Sequence, residues 1–371
     1  MRRFPAMSLV CMCLLVFAVP KAHAQSIESS QGRLKVEAIV TNLEEPWAVA
    51  HLPDKSMLIT QRGGELFHIS PQGAKTQIAG VPEVHVQGQG GLLDVVVDRD
   101  FENTGLIFFS ASVAQARGAG TAVFRAELSS DRHSLRNVLK IFEMAPGSSG
   151  GRHFGSRIVD VGDRSLFVTI GERGDRPSAQ QLDRHEGSVV RINKSGGAYA
   201  QNPFVGKDNA LPEIWSYGHR NPQGAALDVF GQLWVVEHGA KGGDEINAIL
   251  KGRNYGWPVI SYGKHYSGFK IGEGTQKQGM EQPAFYWDPS IAPSGLMIYS
   301  GKLWPEWRGH FFVGSLKSDY ISRLSGLALQ ERERLRGPAT QRVRDVREGP
   351  DGGIWFLSVD KGTLYRMTPR D

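Results

Sequence analysis

Cysteine is nearly absent from this 371-residue chain: there are two, Cys11 and Cys13. Both fall within the first 24 residues, so the chain from Gln25 onward has no thiol. That excludes disulfides, thiolate nucleophiles and cysteine-ligated metals from the part that folds. Long apolar runs are missing beyond Val19, and no later stretch could cross a bilayer as a helix. Runs of one charge sign are missing as well; the densest cluster, Glu331 to Arg336, alternates in sign. A nucleic-acid partner is therefore not supported. Helical periodicity is scarce, with Ala179 to Glu186 readable as a turn or two.

What is present begins with an address. Arg2 and Arg3 precede the apolar stretch Met7 to Val19, and Ala22-His23-Ala24 has the small-residue pattern of a cleavage site. Residues 1–24 are read as a secretory signal peptide, with a retained anchor as the alternative, and 25–371 as one exported domain without stable membrane insertion. Loss of Arg2, Arg3 and Lys21 lowers the formal charge from +5 to +2. A cysteine-free exported chain must rest on a large core, and this length suffices.

Forty-five glycines punctuate a degenerate phrase: an apolar β run, a turn with Asp and Gly, and a second apolar β run. It occurs at Pro46–Ser70, Gly90–Ser112, Phe154–Gly174, Asn221–Gly239, Ser294–Leu316 and Arg344–Met367. Six copies average roughly 58 residues, which suits a four-stranded blade with its loops. The reading is all-β: a six-bladed β-propeller of four-stranded antiparallel blades. Closure requires the ends to meet, so Leu34–Thr41 should join the last blade. A pair of β-sandwiches is the alternative, and six similar units argue against it. Gly147–Gly151 and Gly268–Gly279 are read as loop insertions.

The most informative stretch is Ile214–Trp257. One of its turns offers Arg220, Asn221 and Gln223, which suit a ligand rich in carboxylates and quinone oxygens. Another offers Gly239, Gly242, Gly243, Asp244 and Glu245, which suit a hard cation held by oxygen, although the spacing is not that of an EF-hand and a solvated turn would read the same way. His153 stands just before the strand of the third copy. A lone histidine is usually structural, but a neutral imidazole there could take a proton from a substrate hydroxyl, with Glu172 at the far end of the hairpin holding the other ring nitrogen. Gln89 lies in a glycine-rich approach to the second copy, where tight turns alone would explain the glycines. Arg342 and Arg344 alternate in an extended segment and so point to one side. Lys317 also follows a strand. In a propeller these strand ends converge on one mouth of the channel. Arg220, Lys317, Arg342 and Arg344 around one funnel would be costly without an anionic ligand.

At these residues the chain resembles the soluble pyrroloquinoline quinone (PQQ)-dependent sugar dehydrogenases, most closely the periplasmic aldose sugar dehydrogenase type. The matching strings are PWAVAHLPD, QGGLLDV, HFGSR, SYGHRNPQG, EHGAKGGDEIN, GRNYGWP, YSGFK, VGSLK and RVRDVREGPDG, between Asn42 and Gly352. The combination is specific where no single string would be. The resemblance implies a six-bladed propeller, PQQ and calcium as cofactors, and oxidation of an aldose at its C1 hydroxyl to the lactone. It makes His153 the base. It makes Gln89, Arg220, Asn221, Gln223, Lys317, Arg342 and Arg344 contacts of PQQ, with Tyr266 lining the same pocket. The carbonyls of Gly239 and Ala240 would hold the calcium that bridges protein and quinone, and Glu245 with the Tyr255 carbonyl a second, structural calcium. The family usually has proline where this chain has Ala240, and its glucose-oxidising members have aspartate where this chain has Arg152. The loops of the glucose enzymes' dimer contact are absent, which favours a monomer. The preferred sugar and the electron acceptor, a quinone or a small cytochrome, are not legible. Two other classes stay open: a calcium-dependent propeller lactonase or hydrolase, which needs acids converging on the channel, and a non-catalytic propeller that binds sugars or proteins.

Overall fold

The computed structural model describes residues 25–326 and 328–370. The proposed signal peptide, 1–24, lies outside the described residues. Strands β1 (Gln25–Ser29) and β2 (Gly32–Val40) open the chain. Six antiparallel sheets account for almost all the regular structure. The first blade is β3 (Pro46–His51), β4 (Met57–Gln61), β5 (Leu66–Ile69) and β6 (Lys75–Gln77). The second is β7 (Leu92–Val97), β8 (Leu106–Ala114), β9 (Ala119–Leu128) and β10 (Leu135–Glu143). The third is β11 (Ile158–Asp160), β12 (Ser165–Ile170), β13 (Ser188–Asn193) and β14 (Ile214–Tyr217). The fourth is β15 (Pro222–Leu227), β16 (Leu233–Glu237), β17 (Asp244–Ala248) and β18 (Phe285–Trp287). The fifth is β19 (Pro293–Ile298), β20 (Phe311–Ser315), β21 (Ile321–Leu324) and β22 (Glu331–Leu335). The sixth holds β23 (Val343–Glu348), β24 (Ile354–Ser358) and β25 (Thr363–Pro369), and β2 pairs with β25 to close the ring. Each repeat of the sequence falls on the inner strands of one blade.

Two details differ from expectation. The closing blade has five strands, because β1 folds back on β2 through a tight turn from Ser29 to Gly32. The segment from Ala179 is not a helical turn or two: a single 3₁₀ turn, Arg176–Gln180, ends there, and its proline at the start fixes it. Apart from this and a second 3₁₀ turn, the described residues hold one short helix, α1 (Phe101–Thr104). No helix among them is long and apolar enough to cross a membrane.

The core is divided, as continuous apolar strands require when both sheet faces are covered. One apolar cluster fills each interface between successive blades. Trp47, Leu58, Leu93 and Phe109 join the first two, and Leu357 and Leu364 meet Val49 and Ile59 where the ring closes. At the axis, Asp94, Arg157, Asp345 and Arg347 form an ion-paired ring with contacts of 2.9–3.1 Å. Two acids against two guanidinia leave this buried group neutral.

Five of the six inner strands break register near their start: between Pro46 and Ala48, Leu92 and Val95, Pro222 and Gly224, Pro293 and Leu296, and Val343 and Asp345. A bulge re-aims the side chain it frees. The residues freed first are Trp47, Leu93, Gln223, Ser294 and Arg344, each second in its strand. Four of these line one cavity at the mouth of the channel.

Candidate active site

The cavity has a volume of about 520 Å³. Its wall includes Gln89, Asn221, Gln223, Lys317, Arg342 and Arg344, brought together from four blades. Arg342 and Arg344 do reach one space, but not through simple alternation. Arg342 has a left-handed backbone, φ 46°, and Arg344 sits in the bulge of β23.

Three of the guanidinia contact neutral partners. Arg344 Nη1 donates to Gln223 Oε1 at 2.9 Å, Arg342 Nη1 to the Leu316 carbonyl at 3.2 Å, and Arg220 Nη1 to the His238 carbonyl at 3.3 Å. Burial, with the neighbouring guanidinia of Arg157 and Arg342 acting in the same sense, lowers the Arg344 pKa to about 9. Burial likewise lowers that of Arg220, whose Nε is buried without a partner. Arg220 and Arg344, held this way away from water, are uncompensated, and an anion would relieve them; Arg342 is exposed to solvent.

His153 sits beside this wall, between the lining residues Gln89 and Phe154. It is 8% exposed. Its Nδ1 lies 2.6 Å from Glu172 Oε1, and Glu172 is 1% exposed. The carboxylate's other oxygen accepts from the Gly174 N–H. An acceptor at Nδ1 fixes the proton there and leaves the Nε2 lone pair free. Burial lowers the His153 pKa, Glu172 opposes this, and the charges of Arg220 and Arg152 add to the lowering. The net direction is downward, so the imidazole is neutral near pH 7. The glycines near Gln89 serve close approach as well as turning. A Cβ on Gly88 would stand 2.1 Å from the Gly151 carbonyl oxygen. Gln89 in turn accepts the His153 N–H at 2.7 Å.

A second, ion-sized pocket of about 20 Å³ adjoins the first through His238. Glu237, Gly239, Glu245 and Tyr255 line it, as does Arg220. Glu237 and Glu245 face one another across β16 and β17, an unfavourable pairing for like charges. Burial raises the Glu245 pKa, and Glu237 raises it further. Asn247 Nδ2 touches both carboxylates, at 3.1 and 3.2 Å, while its Oδ1 is buried without a partner. A Cβ on Gly239 would meet the Gly242 and Gly243 carbonyl oxygens at 2.2 and 2.3 Å. Two facing acids in an ion-sized pocket with the Gly239 and Gly243 backbone on its wall fit a hard cation. Asp244 is spoken for: it accepts from Gly239 N, Ser290 Oγ, Ile291 N and Ala292 N within 3.0 Å. No cluster of three or more acidic, histidine or cysteine side chains suited to a metal occurs among the described residues.

The model of the Glucose / Sorbosone dehydrogenase family matches residues 43–366. Aldose sugar dehydrogenase YliI of Escherichia coli (strain K12) is 42% identical over 372 residues, covering 98% of this chain and 97% of the relative. The chain belongs to the glucose/sorbosone dehydrogenase family. A crystal structure of the soluble aldose sugar dehydrogenase from Escherichia coli in its apo form superposes with a TM-score of 0.88 at 42% identity, covering 91% of this chain and all of that one. Quinoprotein glucose dehydrogenase B of Acinetobacter calcoaceticus is 28% identical over 334 residues, 81% of this chain and 68% of the relative. The protein is thus an oxidoreductase of the sugar dehydrogenase class.

Within this dehydrogenase the structure assembles most of the residues singled out from the sequence. Tyr266 stands apart: it is 72% exposed and outside the cavity lining. It lies on a loop tied down by the Lys264–Lys270 bridge and the Arg176–His265 contact of 2.9 Å. Several site residues escaped the sequence reading. Trp47 holds the guanidinium of Arg157 at 4.3 Å and that of Arg344 at 5.6 Å from its ring centroid. Aligning the repeats on the second residue of each inner strand would have found it. His238 donates from Nε2 to the Pro293 carbonyl at 2.7 Å, and burial lowers its pKa to about 3. Glu237 accepts from Arg220 N at 2.7 Å and pairs with His219 Nδ1 at 2.8 Å. Both open the string EHGAKGGDEIN, which carried the resemblance without assigning either a role.

Proposed function

We propose that this dehydrogenase oxidises the C1 hydroxyl of an aldose to the lactone, using PQQ and calcium, with His153 as the base. The observation that carries this reading is the His153–Glu172 pair at 2.6 Å beside a wall that carries Lys317, Arg342 and Arg344. Lys317, Arg342 and Arg344 would hold the carboxylates of PQQ. Arg220, Asn221, Gln223 and Gln89 would meet its ring oxygens. The carbonyls of Gly239 and Ala240 would hold calcium against it, and Glu245 with the Tyr255 carbonyl a second ion. Bound there, PQQ supplies the two-electron oxidising power and calcium a polarising charge. The chain's own contribution is orientation and proton removal. Glu172 keeps the proton on Nδ1, so Nε2 can accept the one from the substrate hydroxyl. The guanidinium of Arg220 stabilises negative charge developing beside the base. Export by cleavage after Ala24, a periplasmic location and a monomeric state belong to the same reading, with a quinone or cytochrome as electron acceptor.

The test is to mix metal-stripped protein with PQQ and calcium, add an aldose panel and follow reduction of an artificial dye. Reduction that requires PQQ, calcium and sugar together is expected. No reduction, with no PQQ binding by absorbance, refutes the reading. The hydrolase alternative is not favoured: Glu45, the acid on the cavity wall, is engaged by Arg62 at 2.5 Å, and the axial acids Asp94 and Asp345 are paired with Arg157 and Arg347.

A further inference from the structure

The segment that carries His153 is an irregular loop, yet a catalytic base must be held to a fraction of an ångström. His153 itself has a left-handed backbone, φ 56°, a conformation that a residue with a Cβ adopts only under restraint. Its N–H is held by Gln89. Its carbonyl abuts Gly171, where a Cβ would come within 2.0 Å of the oxygen. Thr121 Oγ1 donates to the Phe154 carbonyl at 2.8 Å, and a further restraint is a buried cation. Arg173 follows Glu172, is 1% exposed and has a left-handed backbone, φ 59°. Its Nη1 donates to the carbonyl of Arg152, the residue before the base. Its Nη2 donates to the carbonyl of Gly150 and, at 3.4 Å, to that of Ala119. The guanidinium lies 3.3 Å from the ring centroid of Phe154, the residue after the base.

We propose that Arg173 is the positioning residue of the base, its guanidinium fork gripping the His153 loop by the Gly150 and Arg152 carbonyls and by the Phe154 ring. The inference rests on the reading of His153 as the base. A cation buried without a hydrogen-bonded acid is expensive to keep. Burial lowers the Arg173 pKa to about 10, with Glu186 and Glu172 opposing, so it stays charged at neutral pH. Arginine alone offers a planar fork that reaches two carbonyls while its face stacks on an aromatic ring. A neutral side chain would fill the space without holding the loop.

The experiment compares wild type, Arg173→Gln, Arg173→Lys and His153→Gln, each loaded with PQQ and calcium. Misplacing a reacting group by about 1 Å costs on the order of 100-fold in rate. Arg173→Gln should therefore lose kcat by about that factor, while KM and the PQQ dissociation constant stay within about threefold. The low-field proton signal of His153 Nδ1–H in the NMR spectrum should weaken with it. Arg173→Lys, with charge but no fork, should lie between the two. If Arg173→Gln does not fold, the lysine variant carries the test. Wild-type kcat in a folded Arg173 variant overturns the proposal. So does a loss of PQQ binding in step with the loss of rate, because that marks general collapse. Wild-type kcat in His153→Gln refutes the base assignment itself, whatever the Arg173 variants do.

Discussion

Replacing Glu172 by glutamine is the sharpest perturbation of the proposed base, because it changes one atom and one charge. Glu172 spends one oxygen on His153 Nδ1–H and the other on the Gly174 N–H. Glutamine has one oxygen to offer two donors. If its NH₂ faces Gly174, two N–H groups confront each other in a buried space, at about 1–3 kcal/mol for the unsatisfied group. If its NH₂ faces His153, the imidazole must accept at Nδ1 and move its proton to Nε2. That tautomer presents a donor to the substrate hydroxyl and cannot take its proton. Trapping a catalytic histidine in the wrong tautomer costs on the order of 10⁴-fold elsewhere, or about 5 kcal/mol in the barrier. Glu172→Gln should therefore lose about three to four decades of kcat in the PQQ- and calcium-dependent dye assay. The affinity for PQQ, measured separately by absorbance, should stay within about twofold, because Glu172 is not on the cavity wall. Glu172→Asp keeps both acceptors and should retain more activity. A kcat for Glu172→Gln within tenfold of wild type would show that the 2.6 Å contact does not set the tautomer that matters.

Calcium should stabilise the fold by occupying the pocket between Glu237 and Glu245. At a hundred times its dissociation constant a ligand adds about 2.7 kcal/mol, which is several degrees in Tm. Glu245→Gln should lose most of that calcium-dependent gain in a thermal melt, and an undiminished gain would place the ion elsewhere. Acid stability should follow the buried histidines: burial lowers His51 to about 4 and His238 to about 3 from an ordinary 6.5. Both bind fewer protons folded than unfolded below pH 6.5, so their contribution is complete above that value. It falls on acidification by about 1.4 kcal/mol per pH unit for each group. Urea midpoints should thus drop steeply from pH 6.5 towards 4, and His238→Gln should flatten the slope; an unchanged slope would show that His238 takes up its proton without cost.

The architecture was legible because it repeats. A β run, an Asp/Gly turn and a second β run can be counted six times, and a strand near the N-terminus was needed to close the ring; β2 pairing with β25 is that closure. The pairing of His153 with Glu172 was legible for a local reason, since one hairpin, β11 to β12 and its flanks, carries both ends. What escaped was non-local. Arg342 and Arg344 meet in one cavity through a left-handed residue and a bulge, and neither feature leaves a mark in an alternating pattern. The family motifs gave Gly239 and Ala240 a role but none to Glu237 in the same string, because its partner Glu245 faces it only through strand pairing.

The residue order by itself therefore determined the number of blades, their closure and the kinds of side chain at their rims. Those follow from local periodicity and from turn chemistry, which need no distant partner. Tertiary structure alone decided which rim side chains share a space, and with what protonation. Four of the five inner-strand bulges aim a residue at the channel mouth. Burial then moves histidine and arginine towards neutrality and Glu245 towards its protonated form. Desolvation is a property of everything packed around a group, and no spacing along the chain encodes it.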